Sequence, residues 1–246
     1  KTQRDEGLRL ERAQMMFSAG AAQALDMIAR RYTRPGDVVV VEGPTYHEAI
    51  ATLRDYPIEL RQVPCDDHGL RTDLLAERLA AWVAQGQTPR LLYVIPSFQN
   101  PSGATLTLAR RQELVSLARQ YGIWIVEDDV YRDLPFQAAA PPSLFALSGG
   151  EGVLRLGSFS KILAPGLRLG WIIAPPPAIQ RLVTSGLKGN EGGSSPLSAH
   201  IAYAFCRNGW LEPHLKRLRD GYRTRRDALL AALADQMPPG VCWNRP

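Results

Sequence analysis

The stretch Leu108-Ala109-Arg110-Arg111-Gln112-Glu113-Leu114-Val115-Ser116-Leu117-Ala118-Arg119-Gln120-Tyr121-Gly122-Ile123-Trp124-Ile125-Val126 changes its apolar period part-way along. Leu114, Leu117, Ala118 and Tyr121 fall at i, i+3, i+4 and i+7 and so share one helical face. Gly122 ends that period, and Ile123-Trp124-Ile125-Val126 follows as a continuous apolar run of strand length. The alternation recurs outward. Further strands are predicted at Val38-Val39-Val40-Val41, Leu91-Leu92-Tyr93-Val94-Ile95, Val153-Leu154-Arg155-Leu156 and Trp171-Ile172-Ile173. Pro35-Gly36-Asp37 punctuates the chain before the first of them, and Pro175-Pro176-Pro177 stops it after the last. Short apolar strands separated by helices predict an α/β fold, a mainly parallel sheet with helices on both faces.

From about Ser195 two helical stretches follow with no further strand signal. Leu215, Leu218, Tyr222, Leu229 and Leu233 make one apolar stripe, and Lys216, Arg217, Arg219, Arg223 and Arg226 are expected to form a solvated basic face around it. The change of character suggests that a second domain begins in this region.

The composition is that of an ordinary folded protein, with 246 residues, 45% hydrophobic and 22% charged. Disorder is excluded. A formal charge of +5 is too weak and scattered to imply nucleic acid. No apolar run approaches the ~18 residues of a membrane span, and the polar start Lys1-Thr2-Gln3-Arg4-Asp5-Glu6 has no signal-peptide core. A cytoplasmic location is expected. Cys65, Cys206 and Cys242 are odd in number and far apart, so reduced thiols are expected rather than a disulfide framework. Cys65-Asp66-Asp67-His68 has no second ligand pair, and no metal is expected. The abrupt ends, a charged helical start and a stop at Trp243-Asn244-Arg245-Pro246, suggest a fragment.

Ligands of open α/β sheets bind outside the carboxyl ends of the strands. Three predicted strands carry chemistry there: Pro96-Ser97-Phe98-Gln99-Asn100-Pro101-Ser102-Gly103, Glu127-Asp128-Asp129-Val130-Tyr131 and Gly157-Ser158-Phe159-Ser160-Lys161. Ser158, Ser160 and Arg168 offer hydroxyls and a guanidinium fork suited to phosphate. Gly20-Ala21-Ala22-Gln23 reads as a helix start whose backbone N–H groups suit the same anion. Lys161, set among Phe159, Ile162 and Leu163 with Arg168 near in sequence, is a candidate nucleophile. A phosphorylated aldehyde would use the whole set, and pyridoxal phosphate is such a molecule. Neither a dinucleotide fingerprint, a P-loop nor a G-x-S-x-G elbow is present.

Two segments, Ser158-Phe159-Ser160-Lys161-Ile162-Leu163-Ala164-Pro165-Gly166-Leu167-Arg168-Leu169-Gly170-Trp171 and Pro96 to Gly103, resemble the class I/II pyridoxal-phosphate aminotransferases of fold type I. The resemblance runs from about Met15 to the end and points to the 2-aminoadipate and kynurenine aminotransferase branch. It implies a large domain of the pyridoxal-phosphate transferase type at 1–205, followed at 206–246 by a linking helix and the start of a truncated small domain, with Lys161 as Schiff-base lysine and Asp128 on the pyridinium nitrogen, Asp129 being a mere neighbour. Asn100 and Tyr131 would bond the cofactor's phenolic oxygen, and Tyr46 would stack on its ring. Ser158, Ser160, Arg168 and the backbone at Ala21 and Ala22 would hold the phosphate. Many relatives have Ser and Gln where this chain has the two alanines, so only backbone donors are expected there.

The implied activity is transfer of an amino group from an α-amino acid to a 2-oxo acid, 2-oxoglutarate above all, by a ping-pong route in a homodimer. The α-carboxylate arginine and a tyrosine from the neighbouring subunit are expected in segments this chain lacks. Two alternatives stand beside it. One is the aminotransferase-like, pyridoxal-phosphate-sensing domain of a GntR-type transcription regulator, although such regulators more often show His-Gln-Phe-Pro where this chain has Ser97-Phe98-Gln99-Asn100. The other is a pyridoxal-phosphate lyase or decarboxylase on the same fold.

Overall fold

The computed structural model describes residues 6–184 and 193–246; Lys1–Asp5 of the polar start lie outside the described residues. Eight strands form one sheet: β1 (Met15–Ser18), β2 (Val38–Gly43), β3 (Glu59–Asp66), β4 (Gly69–Leu70), β5 (Leu91–Val94), β6 (Trp124–Asp128), β7 (Val153–Ser158) and β8 (Gly170–Ile173). Their order is β1-β8-β7-β6-β5-β2-β3-β4. β3, β2, β5, β6 and β7 run parallel. β8 is antiparallel to both β7 and β1, and β4 is antiparallel to β3.

The core follows from the pleat. In β2, Val39 and Val41 face one apolar cluster while Val40 faces the other, and all three are fully buried. Each such valine contributes roughly 1.5–3 kcal/mol. The first cluster packs under α1 (Ala21–Tyr32), α2 (His47–Arg54) and α6 (Pro176–Val183). The second packs under α3 (Thr72–Ala84), α4 (Leu108–Tyr121) and the short α5 (Leu144–Leu147). The helical face read around Leu114 and Ala118 is the buried one, and Gly122 closes α4 in the left-handed conformation that glycine tolerates.

All five predicted strands are present. β1, β3 and β4 were not legible: β1 is four residues long at the sheet edge, and β3 buries only Val63 among charged and polar neighbours. Pro176 does more than stop the chain, since it occupies the first turn of α6, where a missing N–H costs nothing.

Two helices complete the described chain, α7 (Pro196–Arg207) and α8 (Leu211–Gln236). The basic face of α8 differs from its expectation. Lys216 and Arg217 are exposed, but Arg219, Arg223 and Arg226 are half-buried. Arg219 Nε donates to the Asp133 carbonyl at 2.8 Å, Arg223 Nε to the Phe136 carbonyl at 3.1 Å, and the Arg226 guanidinium lies 4.7 Å from the Phe136 ring centroid. Guanidinium donors at this spacing saturate loop carbonyls that the apolar stripe leaves bare. All three cysteines are free thiols. Among the described residues no helix is long and apolar enough to cross a membrane.

Candidate active site

The five parallel strands and β1 deliver their carboxyl ends to one edge of the sheet, and β8 starts there. Every residue singled out in the sequence sits at that edge. Asp128 ends β6; Tyr131 follows it; Ser158 ends β7, with Ser160 and Lys161 in the turn beyond; Arg168 precedes β8; Asn100 follows β5; Tyr46 follows β2 as the amino cap of α2.

Two adjacent aspartates have opposite surroundings. Asp129 Oδ1 accepts from Ser97 Oγ at 2.9 Å, and its Oδ2 accepts from Arg155 Nε at 3.1 Å and Nη2 at 2.7 Å. Arg155 also pairs with Glu6, and Arg132 stands 3.6 Å from Asp129 Oδ2. Asp129 is thus consumed by the framework. Asp128 Oδ2 accepts from the Tyr93 phenol at 2.7 Å, while the buried Oδ1 has no hydrogen-bond partner. Burial pushes its carboxyl up to about 6 against the pull of Tyr93 and the Val130 N–H. A buried carboxylate oxygen left open is costly, and this one can accept from a donor that the chain itself does not supply.

Lys161 does not lie in the apolar setting its neighbours suggest. Ile162 turns into the core, whereas the lysine is exposed, its Nζ 5.8 Å from the Tyr131 ring centroid. Burial raises the Tyr131 phenol, and the Asn100 side-chain amide bonded to it opposes that shift. The phenol of Tyr46 is raised by burial and is close enough to feel Asp128 and Arg168.

The residues expected to cradle an anion meet around a tight backbone approach. Gly20, at φ +89°, caps α1, and a Cβ on Gly170 would come within 2.7 Å of the Gly20 backbone. This contact holds the amino end of α1, with Ala21 and Ala22, beside the β7–β8 edge. Arg168 reaches Ser160 Oγ at 3.5 Å and the Ala19 carbonyl at 3.4 Å, both long bonds that leave its fork open. Ser158 is buried, its Oγ accepting from Ser160 N at 3.1 Å and facing the Leu169 carbonyl at 3.4 Å, so it also braces the turn. A cavity of about 880 Å³ opens over Lys161, Asn100, Tyr131 and Ser160, with Leu229 and Leu233 of α8 on the far wall.

The sequence profile of the family described as Aminotransferase class I and II matches residues 1–243. The chain belongs to this family. It is 39% identical to aromatic-amino-acid aminotransferase 1 of Thermococcus litoralis over 96% of this chain and 57% of that relative. It superposes on kynurenine aminotransferase of Pyrococcus horikoshii, solved in complex with PMP and with KYN and KYA as substrate and product. The TM-score is 0.94 at 36% identity, covering 99% of this chain and 60% of that one. It is also 34% identical to the uncharacterized HTH-type transcriptional regulator YisV of Bacillus subtilis, over 94% of this chain and 47% of that relative. The chain therefore spans about half to three fifths of the length of these relatives.

Sequence reading missed the residues beneath the edge. Tyr93 sits in an apolar strand and reads as core. Glu42, directly after four valines, is fully buried; burial pushes its carboxyl up to about 8, and its Oε2 accepts from Ile95 N at 2.9 Å. Gln99 ties loops together, donating to the Pro44 carbonyl at 2.8 Å and accepting from Ser102 N at 2.8 Å. A phenol or carboxyl inside an apolar run was the available signal, because buried polar groups need partners.

Proposed function

We propose that this chain carries the cofactor site of a pyridoxal-phosphate-dependent aminotransferase. The enzyme would transfer an amino group from an α-amino acid to a 2-oxo acid, 2-oxoglutarate being the acceptor, in a ping-pong reaction. The observation that carries the reading is the open, buried Oδ1 of Asp128 at the edge that also holds an exposed lysine and an unspent arginine fork. When bound, pyridoxal phosphate supplies an aldehyde that captures amines and a ring that accepts electrons.

The chain's own residues would do the rest. Lys161 would hold the cofactor covalently until the substrate amine displaces it, and its freed Nζ would then take the proton off the substrate α-carbon. Asp128 keeps the ring nitrogen protonated. Asn100 and Tyr131 bond the phenolic oxygen, Tyr46 covers the ring face, and Ser158, Ser160, Arg168 and the backbone at Ala21 and Ala22 hold the phosphate. Residues 1–205 form the large domain, and 206–246 lead into a small one. A cytoplasmic homodimer acting on small amino and 2-oxo acids completes the reading.

A second reading is favoured by the likeness to a protein named as an HTH-type regulator: the same site would sense the cofactor and control DNA binding. Incubating the purified protein with pyridoxal phosphate, a panel of amino acids and 2-oxoglutarate decides between them. Amino-acid-dependent formation of glutamate supports the transferase; no glutamate, with cofactor-dependent binding to DNA, supports the regulator. A product that retains no acceptor nitrogen would place the chemistry among the lyases.

A further inference from the structure

We infer that Tyr93 is a positioning residue, a buried phenol that locks the Asp128 carboxylate with Oδ1 turned to the site. The inference rests on the cofactor reading above and deepens it. Tyr93 lies in β5 beside Val126 of β6 and is 1% exposed. Its Oη donates to Asp128 Oδ2 at 2.7 Å. A phenol in the middle of an apolar sheet costs stability unless it is bonded, and phenylalanine would fill the same space without that cost. The hydroxyl therefore has its explanation in Asp128.

Two effects follow from the one bond. First, a carboxylate held at Oδ2 cannot rotate freely, so Oδ1 stays where it has no protein donor. Second, a donor to the ionised form keeps the charge on a group that burial would otherwise neutralise. The groups facing Asp128 make the second effect necessary. Asp129, just past its strand, opposes its ionisation and Lys161 beyond β7 favours it, while Glu42 of β2, which holds its proton up to about 8, and the phenols of Tyr46 and Tyr131 lie nearby. Asp129 is matched by Arg155, and Glu42 by the Ile95 N–H, so neither supplies Asp128 with a donor.

The test uses Tyr93→Phe in the purified protein and two probes: pyridoxal phosphate and its 1-deaza analogue, in which a C–H replaces the ring nitrogen. Equilibrium fluorescence titration should show Tyr93→Phe weakening pyridoxal phosphate by about tenfold, the value of one hydrogen bond to a charged group. The deaza analogue, which has no nitrogen for Asp128 to protonate, should bind wild type and variant within about twofold. The lower pH limit of pyridoxal phosphate affinity should also move up in the variant, by about one unit, because the carboxylate has lost its donor. Equal weakening of both probes, with an unmoved pH limit, would mean a packing role and overturn the inference. So would unchanged affinities. Wild-type protein that binds the two probes equally would overturn the cofactor reading of Asp128 as well.

Discussion

The sheet-bearing part of the molecule and the helical part after residue 193 are built to different tolerances. Up to Val183 the chain buries two continuous apolar clusters and a ring of paired polar groups beneath the active edge. In α7 and α8 only Ala202 and Leu215 are buried hydrophobics among the described residues, and Leu197, Tyr203 and Leu229 are more than half exposed. The first part fixes atoms to within a hydrogen bond. The second contributes a wall to the cavity and attaches to the loop after Tyr131 through arginines. The carboxylate of Asp128 and the amine of Lys161 belong to the first region, and the second adds Leu229 and Leu233 to the wall of the cavity beside them.

Substitutions can break this contrast, beginning with the largest effect. Lys161→Ala should lower amino-group transfer by 10²–10⁴-fold or more, the scale of a lost acid-base group, with little change in melting temperature. A comparable loss from any single substitution in α8 would erase the distinction. Next comes the aspartate pair. Asp129→Asn should cost about 1.5–3 kcal/mol in urea unfolding by removing one of the two carboxylates that bond buried Arg155, whereas Asp128→Asn should leave the cofactor-free fold as stable while weakening cofactor binding. If the two variants behave alike, the assignment of framework to one and ligand to the other is wrong.

A subtler effect is a pH slope. The Glu42 carboxyl is raised in the folded state from 4.5 to about 8, so the folded chain holds its proton while the unfolded chain releases it. The stability linked to that proton is full below 4.5 and is lost as pH rises through 8. The slope is at most about 1.4 kcal/mol per unit. Glu42→Gln should flatten this stretch of the stability curve, and a curve that stays as steep would remove Glu42 as its source. Smallest of all, Arg219→Ala and Arg223→Ala should each cost about 1 kcal/mol, read as protease sensitivity confined to the loop at 133–136.

Legibility in the sequence tracked the same divide. The buried strands announced themselves because both faces of a parallel sheet are covered, so apolar runs are continuous. Asn100, Asp128, Tyr131, Ser158, Ser160 and Lys161 stood out as candidates because each lies just past such a run, whereas Arg168 precedes a strand, Ala21 and Ala22 follow the unread β1, and Tyr46 came from the family resemblance. The edge strand β1 hid because it is only four residues long, and β3, one strand in from the other edge, hid in mixed polarity. Tyr93, Glu42 and Arg155 hid for the opposite reason: their neighbours are apolar, and only the pairing across strands shows what their polar atoms meet. The arginines of α8 looked solvated because helix periodicity says which residues share a face and nothing about a loop that packs on it.

The proposed site requires Lys161 at this edge to hold the cofactor. The chain has four lysines, Lys1, Lys161, Lys188 and Lys216, which makes the measurement clean. Borohydride reduction of the protein with pyridoxal phosphate, followed by peptide mass mapping, should find stoichiometric cofactor mass on the Lys161 peptide. Cofactor mass spread over the other lysines, or absent from Lys161, would contradict it.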